Sequence, residues 1–131
     1  MVVFIGSPTM NTLTVPVTER RGPMLGLRLP AGRAEIETRA ESAGTGQEVT
    51  LGIRPEDLMA CPAGEAWFSG ELSVVERLGS QTFGYLDIGE ERMITIEFPR
   101  SSELEVGAEL HIKGAAAQAH LFNKASGARI N

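Results

Sequence analysis

The stretch TFGYLDIGEERMITIEF, residues 82–98, decides the fold class of this chain. In its second half, Ile94, Ile96 and Phe98 recur at every other position and share one side of the backbone. A period of two residues is typical of a β-strand. The glycine and two glutamates at 89–91 separate the two runs and suit the loop of a hairpin. The stretch therefore predicts an antiparallel hairpin with strands at 82–88 and 92–98.

The rest of the chain repeats this pattern of short runs between turn residues. Fifteen glycines and seven prolines break the sequence at short intervals, which favours strands and turns over long helices. Further strands are predicted at 12–18, 24–29, 49–53, 67–78, 109–113 and 120–122. Gly70 is expected to mark a bend in the long run. Seven or eight such strands predict an all-β fold, either a sandwich or a small closed barrel.

Two segments break the strand pattern. Pro55 is followed by two acidic residues, an arrangement that suits the first turn of a short helix at 55–60. The segment 31–47 alternates charged and small residues, and Ile36 is its one strongly apolar side chain. A mobile surface loop is predicted there, with a solvated edge strand as the alternative.

Length and charge limit the classes of function. The chain has 131 residues, which suits one domain with a single core. Its net charge of −5 and its two lysines disfavour binding to nucleic acid or to an anionic membrane surface. A single cysteine, Cys61, rules out an internal disulfide and points to a reducing compartment. No apolar stretch approaches the length of a membrane span, so direct membrane insertion is not expected.

Catalytic and metal-binding motifs are missing from the sequence. It contains no Gly-x-x-x-x-Gly-Lys-Ser/Thr loop for binding nucleotide phosphates. His111 and His120 are nine residues apart and Cys61 is distant from both, a spacing that indicates neither a metal site nor a Cys–His pair. The chain is therefore predicted not to be an enzyme and to hold neither a metal nor a cofactor.

Four segments carry a family signal that composition does not. They are FIGSPTMN at 4–11, LGIRPEDL at 51–58, VERLGSQT at 75–82, and HLFN at 120–123 with Gly127 and Arg129-Ile130 after it. In this order they resemble the C-terminal regulatory domain, called TOBE, of ATP-binding subunits in maltose- and glycerol-phosphate-type ABC importers. The chain departs from the family pattern at Thr12, at Gln81 and across 123–127.

The resemblance implies a fold and a set of partners. The fold would be an OB-like barrel spanning 1–131, with 1–10 as the linker from an ATPase domain that lies outside this chain and binds ATP and Mg²⁺. The domain would be regulatory and would help the subunit dimerise. Its partners would be its own ATPase domain, a second copy, a regulator of sugar uptake and, indirectly, the membrane subunits. It would lie in the cytoplasm at the inner membrane. The alternative is a module that binds a small anion or a sugar.

Several residues of these segments have a predicted structural or interface role. Gly6 and Pro8 are expected to stop a preceding helix, and Asn11 to bond nearby backbone at the turn before the first strand. Gly79 is expected to adopt a turn conformation that a side chain would resist.

The arginine of LGIRPEDL is predicted to have a specific structural role. Arg54, followed by Pro55 and Glu56, is expected to be at least half-buried and to clamp a carboxylate or carbonyls, with Glu76 as the candidate partner. For self-association, apolar residues at the chain ends are expected to be partly exposed, namely those at 2–5, Leu121 and Phe122.

Overall fold

The computed structural model describes residues 10–40 and 43–131. Gly6, Pro8, the apolar residues at 2–5 and most of the predicted linker lie outside this described part. The described part consists of ten strands and three short 3₁₀ turns. The strands are β1 (Asn11–Arg21), β2 (Met24–Leu29), β3 (Gly32–Glu37), β4 (Glu48–Ile53), β5 (Leu58–Ala60), β6 (Phe68–Leu78), β7 (Gln81–Asp87), β8 (Ile94–Phe98), β9 (Glu109–Gly114) and β10 (His120–Asn123). The 3₁₀ turns are Pro55–Asp57, Ala63–Glu65 and Ala116–Gln118.

The strands form two five-stranded antiparallel sheets. The first sheet has the order β10-β4-β1-β2-β3, and the second has the order β5-β9-β6-β7-β8. The hairpin predicted within 82–98 is formed by β7 and β8, which pair from Thr82 opposite Phe98 to Leu86 opposite Ile94. The all-β prediction is confirmed, and all the predicted strands are present with ends shifted by a few residues.

One continuous apolar core joins the two sheets. Leu51 and Leu121 enter it from the first sheet, while Phe68, Ile96 and Ile112 enter it from the second. All five are at most 1% exposed. Their side chains point to the core side of their strands, as the period of two in the sequence predicts for alternating positions.

The prediction of a mobile loop over 31–47 is wrong for its first part. Gly32–Glu37 forms β3, the edge strand of the first sheet, with Ala34 and Ile36 buried beneath it. Arg33, Glu35 and Glu37 point outward and are exposed. The solvated edge strand, the alternative reading, is therefore correct, because charged side chains on an edge strand protect it from pairing with other chains.

The prediction of a helical turn at 55–60 is confirmed for its first half and wrong for its second half. Pro55–Asp57 forms a 3₁₀ turn with proline in its first turn, as predicted. The chain then becomes extended at Leu58 and continues as β5 against β9. Ala115 N–H donates to the Asp57 carbonyl at 3.0 Å, so pairing with β9 takes over before a second helical turn can form.

The long strand β6 has a bulge between Leu72 and Val74, two residues beyond Gly70. At Gly70 itself, a Cβ atom would lie 2.0 Å from the carbonyl oxygen of Asp87. Glycine at this position allows the backbone of the 87–88 turn to approach β6 closely.

The last residues of the chain connect the two ends of the first sheet. Ile130 N–H donates to the Leu121 carbonyl of β10 at 2.9 Å. The Ile130 carbonyl accepts from Arg39 N–H at 2.8 Å and from the buried Thr38 hydroxyl at 2.6 Å, just beyond β3. Asn131 adds two side-chain bonds to β10 and its approach, at Leu121 N–H and the Ala119 carbonyl, both 2.8 Å. The segment 128–131 thus curls the first sheet toward a closed barrel.

Candidate interaction surface

Asn11 connects the two sheets. Its amide oxygen accepts from Thr95 N–H at 2.8 Å, and its amide nitrogen donates to the Thr95 carbonyl at 2.8 Å and to the Ile53 carbonyl at 3.2 Å. The prediction of bonds to nearby backbone is therefore wrong in its range, because the main partner lies 84 residues away. The side chain copies the two hydrogen bonds that a neighbouring strand would make to β8.

Arg54 does not form the predicted clamp. Its side chain is exposed, and within the described residues it forms neither a hydrogen bond nor an ion pair. Pro55 is buried and Glu56 is exposed, so this turn is anchored by the proline ring and by Asp57 N–H donating to the Arg54 carbonyl at 2.9 Å. The arginine is consequently free to contact a partner.

Arg54 belongs to what we call the outer β4–β10 face, formed by Gly52, Arg54, His120, Phe122 and Arg129. His120 lies opposite Gly52 in the ladder, and Phe122 forms a bridge to Arg129. The rings of His120 and Phe122 are 6.4 Å apart and both are half-buried. Gly52 is buried under the side chains of Met10 and Phe122, because a Cβ atom there would lie 2.7 Å from the Met10 methyl group and 3.3 Å from the Phe122 ring.

The outer β4–β10 face carries positive charge on an acidic chain. Arg54 and Arg129 are both exposed. Burial lowers the pKa of the His120 imidazole, and the charges of Arg129 and Arg54 lower it further against the opposing effect of Asp57. His120 is therefore neutral at pH 7, and the face presents two guanidinium groups beside an aromatic ring.

Leu121 and Phe122 separate onto opposite sides of β10. Leu121 is completely buried in the core, so the prediction that it is partly exposed is wrong. Phe122 is half-buried on the outer β4–β10 face, as predicted. The alternation of side chains along a strand places neighbours on opposite faces, so one residue of this pair packs and the other is available for contact.

Glu76 has a partner other than Arg54. The Tyr85 hydroxyl on β7 donates to the Glu76 carboxylate on β6. Burial raises the pKa of Tyr85 to about 12, and the hydrogen bond and negative charge of Glu76 add to this effect. Gly79 adopts a positive φ of 60° in the turn between the two strands, which confirms the prediction for that residue.

The arginine clamp that was expected at Arg54 occurs at Arg20. The Arg20 guanidinium donates to the carbonyl of Gly22 at 2.9 Å, to that of Ala40 at 2.6 Å and to that of Ala43. It fastens the segment after β3 to the end of β1. Sequence reasoning missed it because Arg20 carries no motif, although its position at a strand end beside Arg21 and Gly22 resembles a turn.

Ser69 and His111 are a close pair of side chains of types that can act in catalysis. The Ser69 hydroxyl and His111 Nδ1 are 2.7 Å apart, on adjacent strands. Burial raises the pKa of the Cys61 thiol and Glu65 adds to this, so the thiolate is disfavoured at neutral pH. Across 10–40 and 43–131, no three His, Cys, Asp or Glu side chains are grouped closely enough to hold a metal ion. Nor does any helix within those ranges have the length and apolarity to cross a bilayer.

These features define a class: a small all-β domain of two antiparallel sheets, with an outer face that carries an aromatic ring and two exposed arginines. The fold has a solved counterpart in ModG, described as a cytoplasmic molybdate-binding protein with molybdate bound. The TM-score is 0.69 over 86% of this chain and 95% of that one, at 16% sequence identity. At this identity the likeness concerns the fold alone.

The sequence comparisons give the family. Residues 6–58 match the MalK OB fold domain, and residues 51–122 match the TOBE domain. The two matches overlap at LGIRPEDL, residues 51–58, which is one of the four segments that carry the resemblance. This chain belongs to the TOBE-domain family, which confirms the resemblance found in its sequence.

Full-length relatives place the domain within larger proteins. The chain is 37% identical over 131 residues to the sn-glycerol-3-phosphate import ATP-binding protein UgpC of Paracoccus denitrificans, covering 97% of this chain and 34% of that protein. It is 32% identical over 122 residues to the maltose/maltodextrin import ATP-binding protein MalK of Vibrio parahaemolyticus, covering 92% and 33%. The chain thus spans about a third of the length of the curated relatives it matches.

Proposed function

We propose that this chain is a non-catalytic regulatory and dimerisation domain of a sugar-type ABC importer ATP-binding subunit. The observation that carries the proposal is the sequence match to such subunits. Almost the whole chain is aligned, and it covers about a third of the length of each relative. The partners that follow are its own ATPase domain, a second copy of the subunit and, indirectly, the membrane subunits. A regulator of sugar uptake is a further partner. The domain would act in the cytoplasm, held at the inner membrane by the transporter.

The non-catalytic part of the proposal rests on the sequence. The chain has no phosphate-binding loop, and its family matches are to the OB and TOBE domains. ATP and Mg²⁺ would bind to the ATPase domain of the full subunit. Isothermal titration of this chain with Mg-ATP is expected to give no saturable heat, and a micromolar binding isotherm would contradict the proposal.

We assign the contact with a second copy to the outer β4–β10 face. Phe122 supplies a half-buried ring there, and the exposed Arg54 and Arg129 suit carboxylates of a partner surface. Because Phe122 is the main apolar side chain of this face, burying the face contributes little free energy. We therefore expect weak association, since binding must also offset the lost translational and rotational freedom of the two molecules.

Sedimentation velocity over a wide concentration range tests this contact. The parent chain is expected to form a concentration-dependent dimer, and Phe122→Glu is expected to abolish it while leaving the fold intact. Val106→Glu is the matched control, because Val106 is 59% exposed and lies outside the outer β4–β10 face. If Phe122→Glu dimerises like the parent, the contact lies elsewhere. A parent that stays monomeric would assign dimerisation to the ATPase domains.

The alternative, a module that binds a small anion or a sugar, is tested by ligand titration. ModG is described as binding molybdate, but its likeness to this chain is one of fold. Titration with molybdate, sulfate and maltose, each followed by the thermal midpoint of unfolding, is expected to produce no shift. A saturable stabilisation by one of them would favour the alternative.

A further inference from the structure

The second sheet has two free edges that face each other. Its strand order leaves β5 and β8 at the ends, and in the described part of the chain no ladder joins them. The 3₁₀ turn at Pro55–Asp57 and the start of β5 approach β8. Between the two edges lies a groove of about 560 Å³, whose walls include Leu58, Ala60 and Phe98.

The β5 wall presents backbone groups without a strand partner. The Asp57 carbonyl accepts from Ala115 N–H, just after β9, at 3.0 Å, and Cys61 N–H donates to the His111 carbonyl on β9 at 2.9 Å. Since alternate residues of a strand bond to the same neighbour, Met59 also faces β9, while Leu58 and Ala60 face the groove. The Leu58 N–H donates to the Pro55 carbonyl. The groups that remain are the Leu58 carbonyl and both backbone groups of Ala60.

The β8 wall presents the same kind of groups. The N–H and carbonyl of Thr95 point away from β7 and toward the Asn11 side chain. The Asn11 amide oxygen accepts from the Thr95 N–H, and the amide nitrogen donates to the Thr95 carbonyl. Glu97 is two residues further along β8 and has the same orientation, so its N–H and carbonyl face the groove. At Pro99 the strand has no N–H to offer. Asn11 therefore covers the edge at Thr95 and leaves it open at Glu97.

The side chains of the groove define the chemistry of an occupant. Met59 is 46% exposed and Phe98 is half-buried, which provides apolar contact. Glu56 and Glu97 also line the groove, and neither forms an ion pair within the described residues. The lining contains no lysine or arginine. The groove is thus apolar with a negative rim.

We propose that this groove binds an extended segment of a partner protein in which apolar residues alternate with lysine or arginine. The segment would add a strand, bonding to the free backbone groups of Ala60 and Glu97. Its basic side chains would meet Glu56 and Glu97, and its apolar ones would pack on Leu58 and Phe98, which lie on the core side of their strands. The proposal does not depend on the importer function proposed above.

A fluorescent six-residue peptide of alternating lysine and valine, with blocked ends, is the probe for this groove. Binding to the 131-residue chain is measured by fluorescence anisotropy at low salt, with a peptide of alternating glutamate and valine as the charge control. The lysine peptide is expected to bind saturably, and the glutamate peptide is expected not to bind. Amide exchange at Ala60 and Glu97 is expected to slow in the complex.

Two variants locate the binding site. Ala60→Pro removes an N–H that β9 does not use, and it is expected to weaken binding at least tenfold. Glu97→Gln keeps the shape and is expected to weaken binding several-fold, more so at low salt. Glu90→Gln, on the exposed loop before β8, is the matched charge control and is expected to bind like the parent. Circular dichroism checks that each variant is folded.

The opposite results would overturn the proposal. No saturable binding at millimolar peptide would show that the groove does not accept a strand. Equal binding by folded Glu97→Gln and the parent would place the peptide elsewhere. If the chain alone forms a dimer that Glu97→Gln or Ala60→Pro dissociates, the occupant is a second copy and not a basic peptide.

Discussion

Replacing Asn11 by alanine tests whether one side chain holds the two sheets together. The substitution removes the bonds from Asn11 to Thr95 N–H, to the Thr95 carbonyl and to the Ile53 carbonyl, at 2.8, 2.8 and 3.2 Å. Thr95 is on β8 in the second sheet, whereas Ile53 is on β4 in the first. We expect the free energy of unfolding to fall while the fold is kept.

The magnitude follows from the three lost bonds. An intramolecular hydrogen bond contributes about 1 kcal/mol net, so three of them contribute about 3 kcal/mol. Asn11 and Thr95 also line a surface groove of about 420 Å³, so water can reach the released Thr95 groups. Hydration offsets part of the loss, and the expected decrease is about 2–3 kcal/mol.

Urea unfolding followed by the fluorescence of Trp67 measures this decrease. Trp67 is the single tryptophan and is 6% exposed, so it reports on the loss of the core. Thr12→Ala is the matched control, because Thr12 is the next residue of β1 and is exposed. A second variant, Asn11→Asp, keeps one acceptor but turns a carboxylate toward two carbonyls. We expect it to be less stable than the parent, with the difference narrowing as pH falls.

The reasoning is refuted if Asn11→Ala and Thr12→Ala unfold within about 0.5 kcal/mol of each other, which is the range of ordinary surface substitutions. A loss of cooperativity in the urea curve would have another meaning. It would show that the two sheets separate before the core unfolds. In that case Asn11 stabilises the contact between the sheets, and not the domain as a single cooperative unit.

Two further predictions concern charged and ionisable side chains. Arg54→Ala is expected to change the free energy of unfolding by less than about 0.5 kcal/mol, because the side chain is exposed. Arg20→Ala is expected to lower it by about 1–3 kcal/mol, because the hydrogen bonds from the guanidinium to backbone carbonyls are lost. Urea unfolding measures both changes. Tyr85, with its pKa raised to about 12, favours the folded state below pH 10, and this contribution is lost between about pH 10 and 12. Ultraviolet titration is expected to show a lower pKa in Glu76→Gln.

The contrast between the two arginines shows where sequence reasoning on sites failed. Arg54 lies in a family motif and was expected to be structural, yet it is exposed beside His120. Arg20 lies in no motif, yet its guanidinium bonds the carbonyls of Ala40 and Ala43 across 20 or more residues. The sequence shows which residues are neighbours along the chain, whereas a clamp depends on which carbonyls the fold brings within reach.

The segment at 31–47 shows the same limit for secondary structure. Ala34 and Ile36 supply too little apolar pattern to indicate a strand, and the charges between them suggested a loop. Beside β2 those charges point to water, and the two apolar side chains are buried in the core. The pairing with β2 decides the structure there, because β-strand preference depends on neighbours more than on the residues themselves.

By itself the sequence determined the fold class, most of the strands and the family. It could do so because side-chain alternation, turn residues and the motif LGIRPEDL are local properties of the chain. The tertiary structure decided which sheet each strand joins, that Asn11 reaches Thr95, and that β5 and β8 leave an open groove. These are contacts between residues far apart in sequence, and the free energy that selects them comes from burial and pairing in the folded molecule.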